Sequence, residues 1–313
     1  MMNKLINNHF TNENEVIQKA TRDGTEVEKG VVLTKDYIER HEKEISELMD
    51  IYIAYPDLYL DTIKPVDSTM ELFFYQRIVL RAIMRFKEVY VVACRAFSKS
   101  FITILALILQ CIFIPGTKRF ICAPNKNQAA QIAKEKIYEI YERWPLLRKE
   151  VIGGNISDTP GNFGKDYVTL KFRNGSQLDV VGGDGTRGLR RNGGLLDELR
   201  DADEIEINEI VLPLMNVARR LPDNTVNEKE VNAQQIVMTS AGVKSHFSYD
   251  KLIDMFENSI IMPNEAFVIG LDYRIPIMHG LLDRAYVNKL KMSPSFNAES
   301  FAREYKLMYS INY

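Results

Sequence analysis

The sequence is poor in residues that build covalent or metal frameworks: 313 positions hold three cysteines and four histidines. Cys94, Cys111 and Cys122 show no C-x-x-C spacing, which argues against a disulfide scaffold or zinc ribbon and predicts a reducing, cytosolic setting. Nor is there an apolar run long enough to cross a bilayer. The most apolar stretch, residues 101–114, carries Gln110 and reads as a buried helix. The N-terminal MMNKLINNHFTNENE has neither an apolar signal core nor a small-residue cleavage site, so no membrane partner is expected. Charge of one sign is not in excess either: 40 Lys and Arg stand against 42 Asp and Glu, a net of -2. Any nucleic-acid contact must therefore come from a local basic patch rather than a global field. Internal repeats and low-complexity tracts are missing as well.

What remains is an ordinary globular composition, 46% hydrophobic and 26% charged, in a chain long enough for one large domain or two smaller ones. Its organising stretch is KEVYVVACRAFSKSFITI, residues 87–104. Residues 89–93 are a β-branched apolar run suited to a buried strand of a parallel sheet. The run breaks at 94–97, and Lys99-Ser100 open an apolar segment of helical length. In a strand, a turn ending in Lys-Ser and a helix, backbone N–H groups and a helix N-terminus hold a triphosphate. The Lys reaches the outer phosphates and the hydroxyl binds Mg²⁺. Cys94, Arg95, Ala96, Phe97, Ser98, Lys99 and Ser100 are thus expected to bind ATP phosphates, with Ser100 also on the metal. Both glycines of G-x-x-x-x-G-K-[ST] are replaced, by Ala93 and Ser98. Taken alone, the motif does not separate a nucleotide loop from an ordinary strand-to-helix turn.

Helical spacing runs from Thr34 to Pro56 and again over 71–86. A second buried strand is expected at 118–123, then a helix over 125–144 ended by Pro145. Asn174-Gly175 between two alternating runs predicts a hairpin within 166–181. Strands are expected before Asp197 and at 234–239 and 266–271, and helices at 205–220, 249–257, 283–292 and 298–309. Alternating strands and helices predict an α/β fold with a mainly parallel sheet. The expected division is a helical arm or lid over 1–65, a nucleotide-binding core over 66–300 and a linker approach over 301–313.

Leu195-Leu196-Asp197-Glu198 supplies what the first loop lacks. In an ATPase, an acid at the end of a core strand anchors Mg²⁺, here Asp197, and the adjacent Glu198 orients and deprotonates the attacking water. Two acids at a strand end also occur as solvated helix-start residues. The extra strand at 118–123, between the Lys-Ser loop and the acids, favours the ATPase reading, which requires Lys99 and the two acids to meet in one pocket.

Together these stretches, over residues 58–313, resemble the ATPase domain of the large terminase subunit, the motor that packages DNA into tailed-phage capsids. Arg95, Lys99 and Ser100 match its deviant phosphate loop and LLDE its acidic strand end; Thr239-Ser240-Ala241-Gly242 matches its coupling motif. Tyr75-Gln76 stands where the family reads adenine, and a Gln amide can pair with N6 and N7 of that base. The resemblance implies a P-loop fold of the ASCE type, a parallel sheet flanked by helices, with Mg²⁺ as cofactor. Arg95 in cis, or Arg187 from the loop TRGLRR reaching a neighbouring subunit, would stabilise charge on the γ-phosphate. It further implies hydrolysis coupled to translocation of double-stranded DNA into a procapsid. Expected partners are the portal protein and the small terminase subunit, in a pentameric ring in the host cytoplasm, transiently at the portal. Such proteins continue into a nuclease domain, and no clustered carboxylates for one follow the coupling motif. Two other readings stay open: a helicase-like DNA-dependent ATPase, and a non-hydrolysing nucleotide-sensing module bound to the portal.

Overall fold

Runs such as EVYVVA and QQIVMT leave no polar face for water, and a sheet accepts them only when helices cover both of its sides. The computed structural model describes residues 16–17, 30–31, 35–153, 161–165, 167–181, 190–215, 217–228 and 230–311. The chain divides into two compact units, Met1–Ile51 and Tyr52–Tyr313. In the first, Val16–Ile17 pairs antiparallel with Gly30–Val31, and a helix spans Lys35–Arg40.

The second unit is built on a sheet that, among the described residues, has nine strands. These are β1 Glu88–Ala93, β2 Lys118–Cys122, β3 Val151–Ile152, β4 Asn162–Phe163, β5 Val168–Phe172, β6 Gln177–Val181, β7 Gly193–Asp197, β8 Gln234–Thr239 and β9 Ala266–Leu271. Their spatial order is β9-β1-β8-β7-β2-β6-β5-β3, with β4 beside β5. From β9 to β6 every pairing is parallel, whereas β5 runs antiparallel to its neighbours. The β5–β6 turn is the Asn-Gly hairpin, with Gly175 at φ +82, a conformation that glycine adopts without a Cβ clash. The expected mainly parallel α/β architecture is thus observed.

The helices that matter for the site are α1 Pro56–Ile63, α2 Phe74–Arg85, α3 Lys99–Phe113, α4 Lys126–Arg143, α5 Phe247–Ile261, α6 Arg284–Met292 and α7 Ala298–Lys306. Helix α3 is buried at almost every position from 101 to 113, which is why it shows no polar stripe. Of the two polar residues in that run, Thr103 donates to the Lys99 carbonyl, and Gln110 donates from Nε2 to the Ile83 carbonyl and to Gln234 Oε1. Among the described residues, no helix is long and apolar enough to cross a membrane. Two glycines open β7 because a Cβ at Gly194 would lie 2.6 Å from the Phe120 carbonyl oxygen of β2.

Some expected bounds shift for local reasons. Pro56 not only stops the preceding helix, Glu42–Ala54, but occupies the first turn of α1, where its missing N–H costs nothing. The helix expected over 205–220 is a π-turn, Glu206–Val211, followed by one α-turn, Leu212–Met215; Pro213 cannot donate into a regular ladder there. Helix α7 stops at Lys306 because Leu307 turns left-handed at φ 60. That turn brings Ser310 alongside Val243 in a parallel bridge.

Candidate nucleotide site

A parallel sheet gathers the carboxyl ends of its strands on one edge, where open α/β folds place ligands. Here β8 lies between β1 and β7, with Thr239 opposite Val92 and Met238 opposite Asp197. The segments leaving these strands, residues 94–100, 198–201 and 240–242, are neighbours for that reason.

The loop after β1 wraps back to the start of α3 with Ala96 and Ser98 both at φ 62. Side-chain-bearing residues take this left-handed conformation at about 1 kcal/mol or more each. The loop therefore keeps a backbone path that glycine would follow freely, held by its surroundings. Phe97 is buried, and its carbonyl accepts from the Tyr75 hydroxyl at 3.3 Å. Cys94 is sealed beneath the loop, and burial pushes its thiol up to about 12, so it is not a nucleophile. Ser100, in the first turn of α3, is half-buried.

Lys99 and the acids of β7 do meet. Lys99 Nζ lies 3.2 Å from Glu198 Oε1 and donates to Ser240 Oγ at 2.7 Å. One ammonium thus joins the phosphate loop, the acidic strand end and the coupling turn. Glu198 itself is left-handed, at φ 50. Asp197 is partly buried by surface area yet ringed by protein atoms; desolvation, and then the Glu198 charge beside it, push its carboxyl up to about 7, against the pull of Lys99. A carboxyl raised in this way gains most from a cation. Ser100 and Asp197 are hard oxygen donors of the kind Mg²⁺ takes, with water completing its shell. Among the described residues, no group of three or more His, Cys, Asp or Glu side chains could hold a metal ion by itself.

Of the two residues expected to read adenine, Tyr75 packs its ring on Phe97, with centroids 4.4 Å apart, and lies 5.4 Å from the His279 ring. Gln76 is buried, and its Oε1 accepts the Phe73 N–H at 3.0 Å. One lone pair of the amide oxygen therefore caps its own helix.

Arg95 is committed elsewhere: its Nε donates to Glu304 Oε2 on α7 at 2.8 Å. Glu304 Oε1 in turn accepts from Arg200 Nη1 at 2.6 Å, and the same Nη1 reaches the Ala241 carbonyl at 3.1 Å. Burial alone would raise the Glu304 carboxyl, but Arg200 and then Arg95 hold it below the usual carboxylate range. The Arg200 backbone N–H donates to Thr239 Oγ1 at 3.3 Å. Downstream, the Ser310 N–H donates to the Gly242 carbonyl and the Lys244 N–H to the Ser310 carbonyl. The coupling tetrapeptide thus touches Lys99 through Ser240, Arg200 through Thr239 and Ala241, and the end of the chain through Gly242. Arg187 lies outside the described residues. Sequence reasoning missed Arg200 and Glu304. A positive charge two residues after the acid pair was the available signal for Arg200, whereas nothing local marks Glu304.

The strand order and the loop define a P-loop fold of the ASCE type, mostly parallel strands flanked by helices. That fold is the one seen in phage large terminases. The HK97 bacteriophage large terminase superposes with a TM-score of 0.59 at 14% identity, covering 82% of this chain and 55% of that one. The large terminase of a thermophilic bacteriophage in complex with ADP gives a TM-score of 0.53 at 11% identity, over 76% and 53%. The Thermus phage P74-26 large terminase ATPase domain gives 0.49 at 16%, over 74% and 92%. The chain spans about half the length of the HK97 protein and of the ADP-bound terminase. No protein-family model matches the sequence, and no curated protein sequence does.

Proposed function

We propose that this chain is the ATPase motor of a phage large terminase, coupling Mg-ATP hydrolysis to translocation of double-stranded DNA into a procapsid. The observation that carries the reading is the 3.2 Å approach of Lys99 to Glu198 at the mouth of a terminase-like sheet. When the outer phosphates arrive, they compete for the Lys99 ammonium, which leaves Glu198 and Ser240. Glu198 is then free to orient a water and take its proton. Loop residues 94–100 donate backbone N–H groups to the phosphates, and Tyr75 and Gln76 face the base. Ser100 and Asp197 would hold Mg²⁺, which would supply positive charge to offset that of the phosphates. Arg95, once released from Glu304, or Arg187 from a neighbouring subunit, supplies positive charge to the γ-phosphate. Portal protein, small terminase subunit and a homo-oligomeric ring, pentameric on the portal, complete the proposal. Its place of action is the host cytoplasm, transiently at the procapsid portal.

A non-hydrolysing, nucleotide-sensing module is the second reading, favoured by the commitment of Arg95 to Glu304 and by Ser98 in place of glycine. Phosphate release with and without double-stranded DNA, measured on wild type, Lys99→Ala and Glu198→Gln, separates the two. A motor shows DNA-stimulated turnover that both substitutions remove, with ATP binding retained in Glu198→Gln. Binding without turnover in wild type selects the sensor.

A further inference from the structure

One half-buried charge beside the proposed base is left without a task. Arg200 follows Glu198 by two residues, and its Nε makes no hydrogen bond; neither does Glu198 Oε2, and these two atoms are 3.9 Å apart. Leaving both unsatisfied is costly for groups so poorly hydrated. The exposed carboxylate of Asp201, 3.5 Å from the same Nε, is the other acid nearby. The guanidinium is anchored through Nη1, which is shared by Glu304 and the Ala241 carbonyl. The side-chain stem lies against Gly242, where an added Cβ would come within 3.2 Å of Arg200 Cβ. Glu198 Oε1 meanwhile faces Lys99.

We infer that Arg200 is the positioning residue for Glu198, holding Oε2 so that Oε1 points at the attacking water once phosphates have drawn Lys99 away. The inference rests on the reading of Glu198 as the base. A closure of about 1 Å turns the 3.9 Å approach into a charge-assisted hydrogen bond. Because Arg200 is also tied to the coupling turn and to α7, its aim depends on both remaining docked. A planar fork anchored at one end suits this task better than a lysine would.

The test uses the full chain and two readouts, steady-state ATP hydrolysis and affinity for a fluorescent ATP analogue. Arg200→Ala is expected to lower kcat about 10- to 100-fold, the range that misplacing a catalytic group produces. KM and analogue affinity should stay within about twofold, and Arg200→Lys should recover part of the loss. In a Glu198→Gln background, where the slow residual hydrolysis is followed under single-turnover conditions, Arg200→Ala should cost less than about twofold more, because the group it positions has gone. Wild-type kcat in Arg200→Ala overturns the inference, as does an equal loss in both backgrounds or a loss explained by affinity alone. Should Arg200→Ala fail to fold, Arg200→Gln, which keeps a donor for Ala241, carries the test: unaltered kcat in that folded variant overturns the inference. Wild-type turnover in Glu198→Gln would instead sink the reading of the base itself.

Discussion

Ser98 shows how a residue can keep a glycine's conformation without being one. At φ 62, in the loop that opens α3, its Cβ crowds the backbone, and the turn around it must hold it there. Replacing Ser98 by Gly is expected to stabilise the chain by about 1 kcal/mol, read as a higher urea midpoint at unchanged slope. Affinity for an ATP analogue should persist, because the substitution leaves the path of the loop backbone unchanged. A lower midpoint would mean that the Ser98 side chain, rather than the loop path, is what the site requires.

At the scale of elements, two contacts decide where the site's components sit. The first joins α1 to α2: buried Asp57 accepts from Arg81 at 2.6 and 2.7 Å and from Arg77 at 3.0 Å, so α2 presents Tyr75 and Gln76 at a fixed angle. Burial works to raise the Asp57 carboxyl, but the Arg81 and Arg77 bonds prevail and hold it below its ordinary value. The stability this contributes is full above the unfolded carboxyl's value of about 4 and is lost as pH falls through the lowered folded value. Asp57→Asn should therefore cost about 2 kcal/mol at pH 7 and flatten the acid limb of a stability-against-pH curve. An unchanged acid limb would remove Asp57 from the account. The second contact is Glu304 on α7, whose backing is a small core of Val287, Phe301 and Tyr305. Glu304→Gln keeps the shape but removes the charge that Arg95 and Arg200 share. Amide exchange over α7 and residues 307–310 should speed up at least about tenfold, while exchange in β1 and β8 stays as in wild type. Uniform acceleration would point to global destabilisation instead.

For the whole molecule, the described residues of the candidate site, from Tyr75 to Glu304, all lie in the unit Tyr52–Tyr313. A fragment of residues 52–313 is expected to bind an ATP analogue within about twofold of the full chain. At a hundredfold excess over Kd, the nucleotide should stabilise it by about 2.7 kcal/mol. Loss of binding on removing residues 1–51 would show that the first unit contributes to the pocket.

Much of this was legible in the residue order. Buried strands announce themselves by β-branched runs, the hairpin by Asn174-Gly175, and the two ends of the site by Lys99-Ser100 and Asp197-Glu198, because each signal arises from torsional and hydropathic preferences over a few neighbouring residues. The strand order that sets β8 between β1 and β7 was not written locally, nor was the bond of Arg95 to Glu304 across 209 positions, or of Arg200 to the same acid across 104. Contacts of that kind depend on how the chain reverses over the sheet and where α7 comes to rest. The amino-acid order therefore determined which residues the candidate site could draw on, while packing alone decided which guanidinium faces which carboxylate.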